Sequence, residues 1–207
     1  MSYKTEQEAF WAGEFGNQYI ERNNGPHILA SKLAFFNASL ARAEAPTSCI
    51  EFGANIGMNL QALQLLFPQQ ELSAIEINSN AVAELRKFIP EERVVHSSLL
   101  DFSPKRKWDL VLIKGVLIHI NPDHLTTIYD KLYASCRRYL LVCEYYNPTP
   151  VTIPYRGHQE RLFKRDFAGE IMERYTDLRL LDYGFCYHRD PNFLHDDSNW
   201  FLMEKRG

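Results

Sequence analysis

The middle of the chain alternates between short apolar runs and segments whose apolar residues recur at helical spacing. Runs such as WDLVLIK have an apolar centre, which is typical of strands covered on both faces of a parallel sheet. Strands that alternate with helices in this way indicate an α/β domain. The pattern predicts strands at 49–52, 72–77, 93–98, 108–114 and 139–146, with helices at 58–67, 80–89 and 121–136.

The two flanks of the chain follow a different pattern. Residues 1–24 predict a short polar and aromatic helical segment that ends at Gly25-Pro26, and residues 27–43 predict a second helix. Beyond the fifth strand, the basic stretch 147–165 is predicted as a loop. The remaining pattern predicts a helix at 165–175 and strands at 179–189 and 199–206. Because only a turn-rich connection joins these two strands, we expect them to pair antiparallel.

Composition narrows the class of protein. The 207 residues are 45% hydrophobic and 24% charged, as in an ordinary globular protein, and the length predicts a single domain, 1–207. The net charge of −3 argues against general binding to a nucleic-acid backbone. Four dispersed cysteines without a CxxC pair exclude a zinc ribbon or a disulfide framework, and no metal site is expected. A polar beginning and the lack of a long apolar run predict a cytoplasmic protein without membrane attachment.

A glycine-containing turn follows the first predicted strand. CIEF leads directly into Gly53-Ala54-Asn55-Ile56-Gly57 and then into a helix, an arrangement typical of nucleotide binding. Glu76 ends the next strand, at the spacing of an acid that accepts hydrogen bonds from ribose hydroxyls. The turn lacks the further glycine of a dinucleotide site, which favours an adenosine without phosphates, and Glu51 suits a cationic group. The alternative is an α/β protein with an incidental glycine turn.

The segment CIEFGANIG resembles the first motif of class I S-adenosylmethionine-dependent methyltransferases, and the resemblance extends over nearly the whole chain. It implies a Rossmann-like seven-stranded sheet with helices on both faces and the last strand antiparallel. It also implies S-adenosylmethionine as cofactor and S-adenosylhomocysteine as product. Many members have an aspartate after the third strand that binds adenine, where this chain has Ser98 and Leu99. The implied cofactor contacts in the sheet are Glu51, Gly53, Asn55, Gly57, Glu76, Ile77, Ser98, Leu99, Lys114 and Gly115.

Several longer segments resemble one bacterial group within that class, the pseudaminic acid biosynthesis-associated methylases. They are TEQEAFWAGEFGNQYIERN, EFGANIGMN, VLIHINP and EYYNPTPVTIPYRGH with LFKRDF. The name of the group implies modification of a nonulosonic acid or a related sugar.

The N-terminal segment 1–45 is predicted to be a helical lid on the α/β core 46–207. Trp11, Phe15 and Tyr19 recur every four residues and would form one stripe on a helix. If the stripe closes over the site, Trp11, Tyr19 and Arg22 would contact the cofactor and Phe15 the substrate. The alternative is a stripe that only packs on the domain.

Two residues are candidates for catalysis. His119 follows the fourth strand and, as a neutral imidazole near pH 7, would accept the proton of an amine or hydroxyl nucleophile. Tyr145 follows the fifth strand, where the ligand crevice of an open α/β sheet lies. For both residues a purely structural role is the alternative.

The acceptor side is expected in the aromatic and basic part of the chain. Of 27 aromatic residues, only eight lie between positions 37 and 144. A basic stretch lies within the segment 147–175, where arginine and lysine suit a carboxylate or phosphate, unless they form a solvated surface. The expected substrate contacts are Phe15, Tyr146, Tyr155, Arg156, His158, Arg161 and Lys164.

Together these features predict methyl transfer to N or O of a small anionic metabolite such as a sugar, a nonulosonic acid or a nucleotide sugar. Methylation of the carboxylate of a small organic acid is a second candidate. A non-catalytic S-adenosylmethionine-binding regulator is a third. Nucleic-acid methylation is disfavoured by the acidic net charge.

Overall fold

The structure, a computed structural model, describes residues 3–22 and 24–206, without the side chains of residues 21 and 158–160. The helices are α1 (Glu6–Ala12), α2 (Glu14–Arg22), α3 (Pro26–Ser39), α4 (Met58–Leu66), α5 (Ser79–Leu85), α6 (Leu125–Ser135) and α7 (Phe167–Arg174). The strands are β1 (Ser48–Phe52), β2 (Glu71–Glu76), β3 (Val94–His96), β4 (Trp108–Lys114), β5 (Cys136–Glu144), β6 (Val151–Tyr155), β7 (His158–Lys164), β8 (Leu178–Cys186) and β9 (Ser198–Lys205).

Seven strands form one mixed sheet in the order β3-β2-β1-β4-β5-β9-β8. The five strands from β1 to β5 are parallel, and β9 runs antiparallel to both of its neighbours, β5 and β8. This topology confirms the predicted seven-stranded sheet with its last strand antiparallel. The order reverses between β1 and β4, so the connections after these strands diverge and leave a crevice at their carboxyl ends.

Helices cover both faces of the sheet, as predicted. Successive strand residues point to opposite faces. Leu110 and Leu112 of β4 therefore pack with α3, α4 and α5, whereas Val111 and Ile113 pack with α6 and α7. All four cysteines are buried free thiols.

Two predicted segments differ from the structure. The stretch 147–165 is not a loop but contains the antiparallel hairpin β6–β7, which packs Ile153, Tyr155 and Leu162 against the α6–α7 core. The segment 1–24 is not one helix: it breaks at Gly13, whose extended backbone separates α1 from α2. Within the described ranges, none of the helices has the length and apolar character needed to cross a membrane.

Candidate active site

A cleft of about 610 Å³ opens at the carboxyl ends of the parallel strands, between the sheet and the α1–α2 segment. The structure brings most of the predicted site residues to its walls. These are Trp11, Tyr19, Arg22, Gly53, Asn55, Glu76, Ile77, Ser98, Leu99, Lys114, Gly115, His119, Tyr145, Tyr155 and Arg156.

Several other predicted residues lie elsewhere. Phe15 stacks on Phe10 at 4.1 Å between ring centroids, and Tyr146 is 40% exposed beside Phe201. Arg161 pairs with Glu6 of α1 at 2.9 Å. These contacts place the three side chains outside the walls of the cleft.

The basic stretch is therefore not one surface facing the cleft. The Lys164 ammonium lies over the Tyr145 ring at 5.1 Å, and the side chain of His158 falls outside the described residues. Arg156 does reach the cleft, from the turn of the β6–β7 hairpin, where its backbone adopts φ +49°. Gly157 also has a positive φ, of +85°, as the second residue of this two-residue hairpin turn, so the turn geometry accounts for the left-handed arginine.

Both glycines of the turn have positive φ angles and closely packed neighbours. Gly53 has φ +76°, and a Cβ there would lie 2.7 Å from the side chain of Val116. Gly57 has φ +80°, and its Cβ would lie 2.7 Å from Leu85 on α5. The absence of a side chain at Gly57 thus lets the start of α4 pack closely against the end of α5.

Glu76 ties the glycine turn to the end of β2. Its carboxylate accepts hydrogen bonds from the backbone N–H of Asn55 at 2.7 Å and of Ile77 and Asn78 at 2.8 Å. Burial raises the pKa of the carboxyl, and the three N–H donors oppose that shift. The side chain is therefore fixed in place at the wall of the cleft, as an acceptor of ribose hydroxyls would need to be.

Glu51 lies at the end of β1 and is 1% exposed. Oε1 accepts a hydrogen bond from Asn59 at 2.5 Å, whereas Oε2 is buried without a hydrogen-bond partner among the described residues. Burial raises the pKa of this carboxyl to about 8. Because an unsatisfied buried carboxylate oxygen is costly, its position fits a cationic group supplied by a ligand.

The α1–α2 segment is held over the cleft by polar contacts from the sheet. The Asn78 amide donates to the carbonyl of Trp11 at 3.3 Å and to Asn17 Oδ1 at 2.9 Å. The Ser98 hydroxyl donates to Glu8, which also closes a capping box with Thr5. Ser98 thus contacts the helical segment as well as lining the cleft, where the sequence predicts adenine contact.

His119 lies in a short turn after β4 and is 7% exposed. Its ring packs between Trp11 and Tyr155, at 4.7 and 4.9 Å between centroids, and burial lowers its pKa to about 4. Nδ1 is 2.6 Å from the carbonyl oxygen of Arg161, which only accepts, so Nδ1 carries the proton. Nε2 of the neutral ring is then unprotonated and can act as a base.

The turn that carries His119 is itself fixed by Glu144. This carboxylate accepts from the N–H groups of Val116 and Leu117 at 2.9 Å and of Ile118 at 3.4 Å. Burial raises its pKa to about 8. Glu144 therefore positions the turn.

Several residues that line the cleft were missed by the sequence predictions. Burial, together with the negative charge of Asp196 in the β8–β9 connection, raises the pKa of Tyr145. His195 contacts the carbonyl of Ser31 at 3.0 Å, and Lys32 reaches the cleft from α3. The sequence pattern between β8 and β9 predicts only a turn, and no motif there indicates a binding site.

The sequence matches no family model and no curated protein. The chain is similar to the 1,6-didemethyltoxoflavin N1-methyltransferase of Burkholderia thailandensis, crystallised with its acceptor and S-adenosylhomocysteine. The TM-score is 0.72 at 15% identity, over 100% of this chain and 92% of that one. The chain has the class I methyltransferase fold.

Other structures with this fold give the same result. Magnesium protoporphyrin IX methyltransferase from Synechocystis PCC 6803, with bound S-adenosylmethionine, has a TM-score of 0.70 at 12% identity, over 99% of this chain and all of that one. The plantazolicin methyltransferase in complex with S-adenosylhomocysteine has a TM-score of 0.67 at 11% identity, over 97% and 94% of the two chains. The fold is thus shared although the sequences have diverged widely.

Burial of His119 has a consequence for stability. Its pKa of about 4 lies below that of an unfolded histidine, about 6.5. The contribution of the neutral His119 to the free energy of unfolding is therefore fully present above about pH 6.5. Roughly 3 kcal/mol of this stability is lost as the pH falls toward 4. We expect the free energy of unfolding, measured with urea at pH 7 and pH 4.5, to fall more in the wild type than in His119→Gln. Equal losses would show that His119 titrates normally.

Asn78→Asp separates the two roles of this side chain. The substitution keeps the oxygen that caps α5 but removes the amide donor to Trp11 and Asn17. We expect the α1–α2 segment to detach more often, so that trypsin cleaves after Arg22 several times faster. Asn37→Asp, at an exposed position of α3, is the charge-matched control. Cleavage at the wild-type rate would contradict the assigned contact.

Proposed function

We propose that the chain is an S-adenosylmethionine-dependent methyltransferase that methylates N or O of a small anionic metabolite. The observation that carries the proposal is the unpaired, buried oxygen of Glu51 beside the glycine turn, in a fold whose solved representatives bind this cofactor. A cationic amino group is the chemical partner that this oxygen needs.

The residues present fit the cofactor. Glu51 would bind its amino group, and the fixed carboxylate of Glu76 would accept hydrogen bonds from the ribose hydroxyls. Ile77 and Leu99 line the cleft beyond Glu76 and would contact the adenine. When bound, the cofactor supplies an electrophilic methyl group on a sulfonium sulfur. The protein then has to hold the acceptor in line with that methyl and exclude water.

His119 is proposed as the base for an amine or hydroxyl acceptor. As the acceptor atom forms its bond to the methyl group, its proton passes to Nε2, while Nδ1 stays hydrogen-bonded to the Arg161 carbonyl. The low pKa of the buried ring keeps Nε2 available at neutral pH. Tyr145, which lines the cleft with Asp196, would orient the acceptor.

The proposed acceptor class is a sugar, a nonulosonic acid or a nucleotide sugar. The similar structures include enzymes named for small acceptors, such as 1,6-didemethyltoxoflavin and magnesium protoporphyrin IX. Resemblance to the pseudaminic acid-associated group supports an acidic sugar. Arg156, exposed at the cleft mouth, supports a negative charge on the acceptor.

A carboxylate acceptor is the second candidate, favoured by the same arginine. A carboxylate is already deprotonated and needs no base. Dependence of turnover on His119 therefore distinguishes the two candidates.

The test is a mass-spectrometric screen for a product heavier by CH₂, using acidic sugars, nucleotide sugars and small carboxylic acids with S-adenosylmethionine. With the acceptor found, we expect His119→Ala to lower kcat by about 10²- to 10⁴-fold. Cofactor affinity, measured by calorimetry, should change by only a few fold. Arg174→Ala, at an exposed ion pair on α7, is the control.

The outcomes separate the parts of the proposal. Failure of the wild type to bind S-adenosylmethionine would contradict the proposed function as a whole. Full turnover of His119→Ala would overturn the role of the base and favour carboxylate methylation.

A further inference from the structure

Lys32 lines the cleft, and Glu51 is buried at the end of β1 behind Asn59, which also lines the cleft and donates a hydrogen bond to Glu51. Glu51 and Lys32 influence each other electrostatically, yet within the described residues they form no ion pair. We propose that Lys32 binds the α-carboxylate of the cofactor while Glu51 binds its α-ammonium, so that the two residues recognise a zwitterionic amino-acid group. This inference rests on the proposed function and adds to it a residue from outside the sheet.

The packing of α3 explains why Lys32 reaches the cleft. Leu29, Leu33 and Phe36 pack against the hydrophobic core, which fixes the rotation of the helix. Lys32, one position before Leu33, then lines the cleft. The position is set by a helix that precedes the first strand, so no motif of the sheet marks it.

The surroundings of Lys32 favour an anion as its partner. Burial, followed by repulsion from Lys114, lowers the pKa of Lys32 to about 8. A bound carboxylate would relieve both effects, because it replaces lost hydration and offsets the second ammonium. Glu51 does not fill this role, since it lies beyond ion-pair distance and its free oxygen has no donor.

The other cations of the cleft are placed differently. Lys114 donates a hydrogen bond to the Cys143 thiol at 3.4 Å and lies 4.9 Å from the centre of the Phe35 ring. Arg22 and Arg156 are exposed at the mouth. Among the described residues, Lys32 therefore lines the cleft without a hydrogen bond or an ion pair of its own.

A zwitterionic amino acid fits this arrangement because it carries both charges on one carbon atom. Its ammonium can satisfy Glu51 Oε2 while its carboxylate faces Lys32, which a direct ion pair between the side chains would prevent. A nucleoside thioether without the amino-acid group would leave both residues unsatisfied. The pair would thus select for the intact cofactor.

Ligand truncation tests the inference by binding alone. We would measure, by calorimetry, the affinities of S-adenosylhomocysteine and of 5′-methylthioadenosine, which has the same nucleoside and thioether but no amino-acid group. Lys32→Met should weaken S-adenosylhomocysteine binding on the order of 10- to 100-fold and leave 5′-methylthioadenosine unchanged within about twofold. Lys32→Arg should restore part of the affinity. Lys87→Met, at an exposed lysine paired with Glu84, should behave as wild type.

Each contrary result has a distinct meaning. If Lys32→Met binds S-adenosylhomocysteine as tightly as wild type, the inference is wrong and the proposed function stands. If the variant loses both ligands equally, Lys32 supports the fold instead, and the inference is again overturned. If wild type binds neither ligand, the proposed function itself fails.

Discussion

Three backbone N–H groups converge on the carboxylate of Glu76, and the architecture of the cleft depends on that convergence. The donors are Asn55 in the glycine turn and Ile77 and Asn78 after β2. One buried carboxylate therefore sets the distance between two loops that follow neighbouring strands. Asn78 then extends the same network to the α1–α2 segment through its amide. The carboxylate proposed to bind the ribose is thus also the group that links the loops of the cleft.

The cleft contains an unusual concentration of buried charge for a fold with an ordinary hydrophobic core. Glu51 and Glu144 both have pKa values raised to about 8 by burial, and Lys32 has one lowered to about 8. Three backbone N–H groups donate hydrogen bonds to Glu144, so the protein itself offsets the free-energy cost of burying this carboxylate. Glu51 and Lys32 are not compensated in the same way. Buried charged groups without a compensating partner are typical of binding sites, where the bound ligand supplies the opposite charge.

The sheet and its glycine turn were predictable because their signals are local. Apolar runs, the spacing from Gly57 to Glu76 and the lack of a helix before the last strand each depend on a few neighbouring residues. The acceptor side was predicted less well. The cluster of basic residues in 147–165 suggested one surface, but pairing within the hairpin directs Arg161 to α1 and Arg156 to the cleft. Lys32 and Asp196 were missed because only tertiary packing brings their elements to the site.

The environment of His119 joins the N-terminal segment to the proposed chemistry. Trp11 of α1 and Tyr155 of the hairpin cover the ring, and the carbonyl that fixes its tautomer belongs to Arg161, whose side chain pairs with Glu6 of α1. Removal of α1 would therefore expose the ring to water and let its pKa rise toward the ordinary value near 6.5. The imidazole is therefore neutral over a wider pH range when α1 covers it than when α1 is removed. The side chains that exclude water from the ring are thus the same ones that lower the pKa of the proposed base.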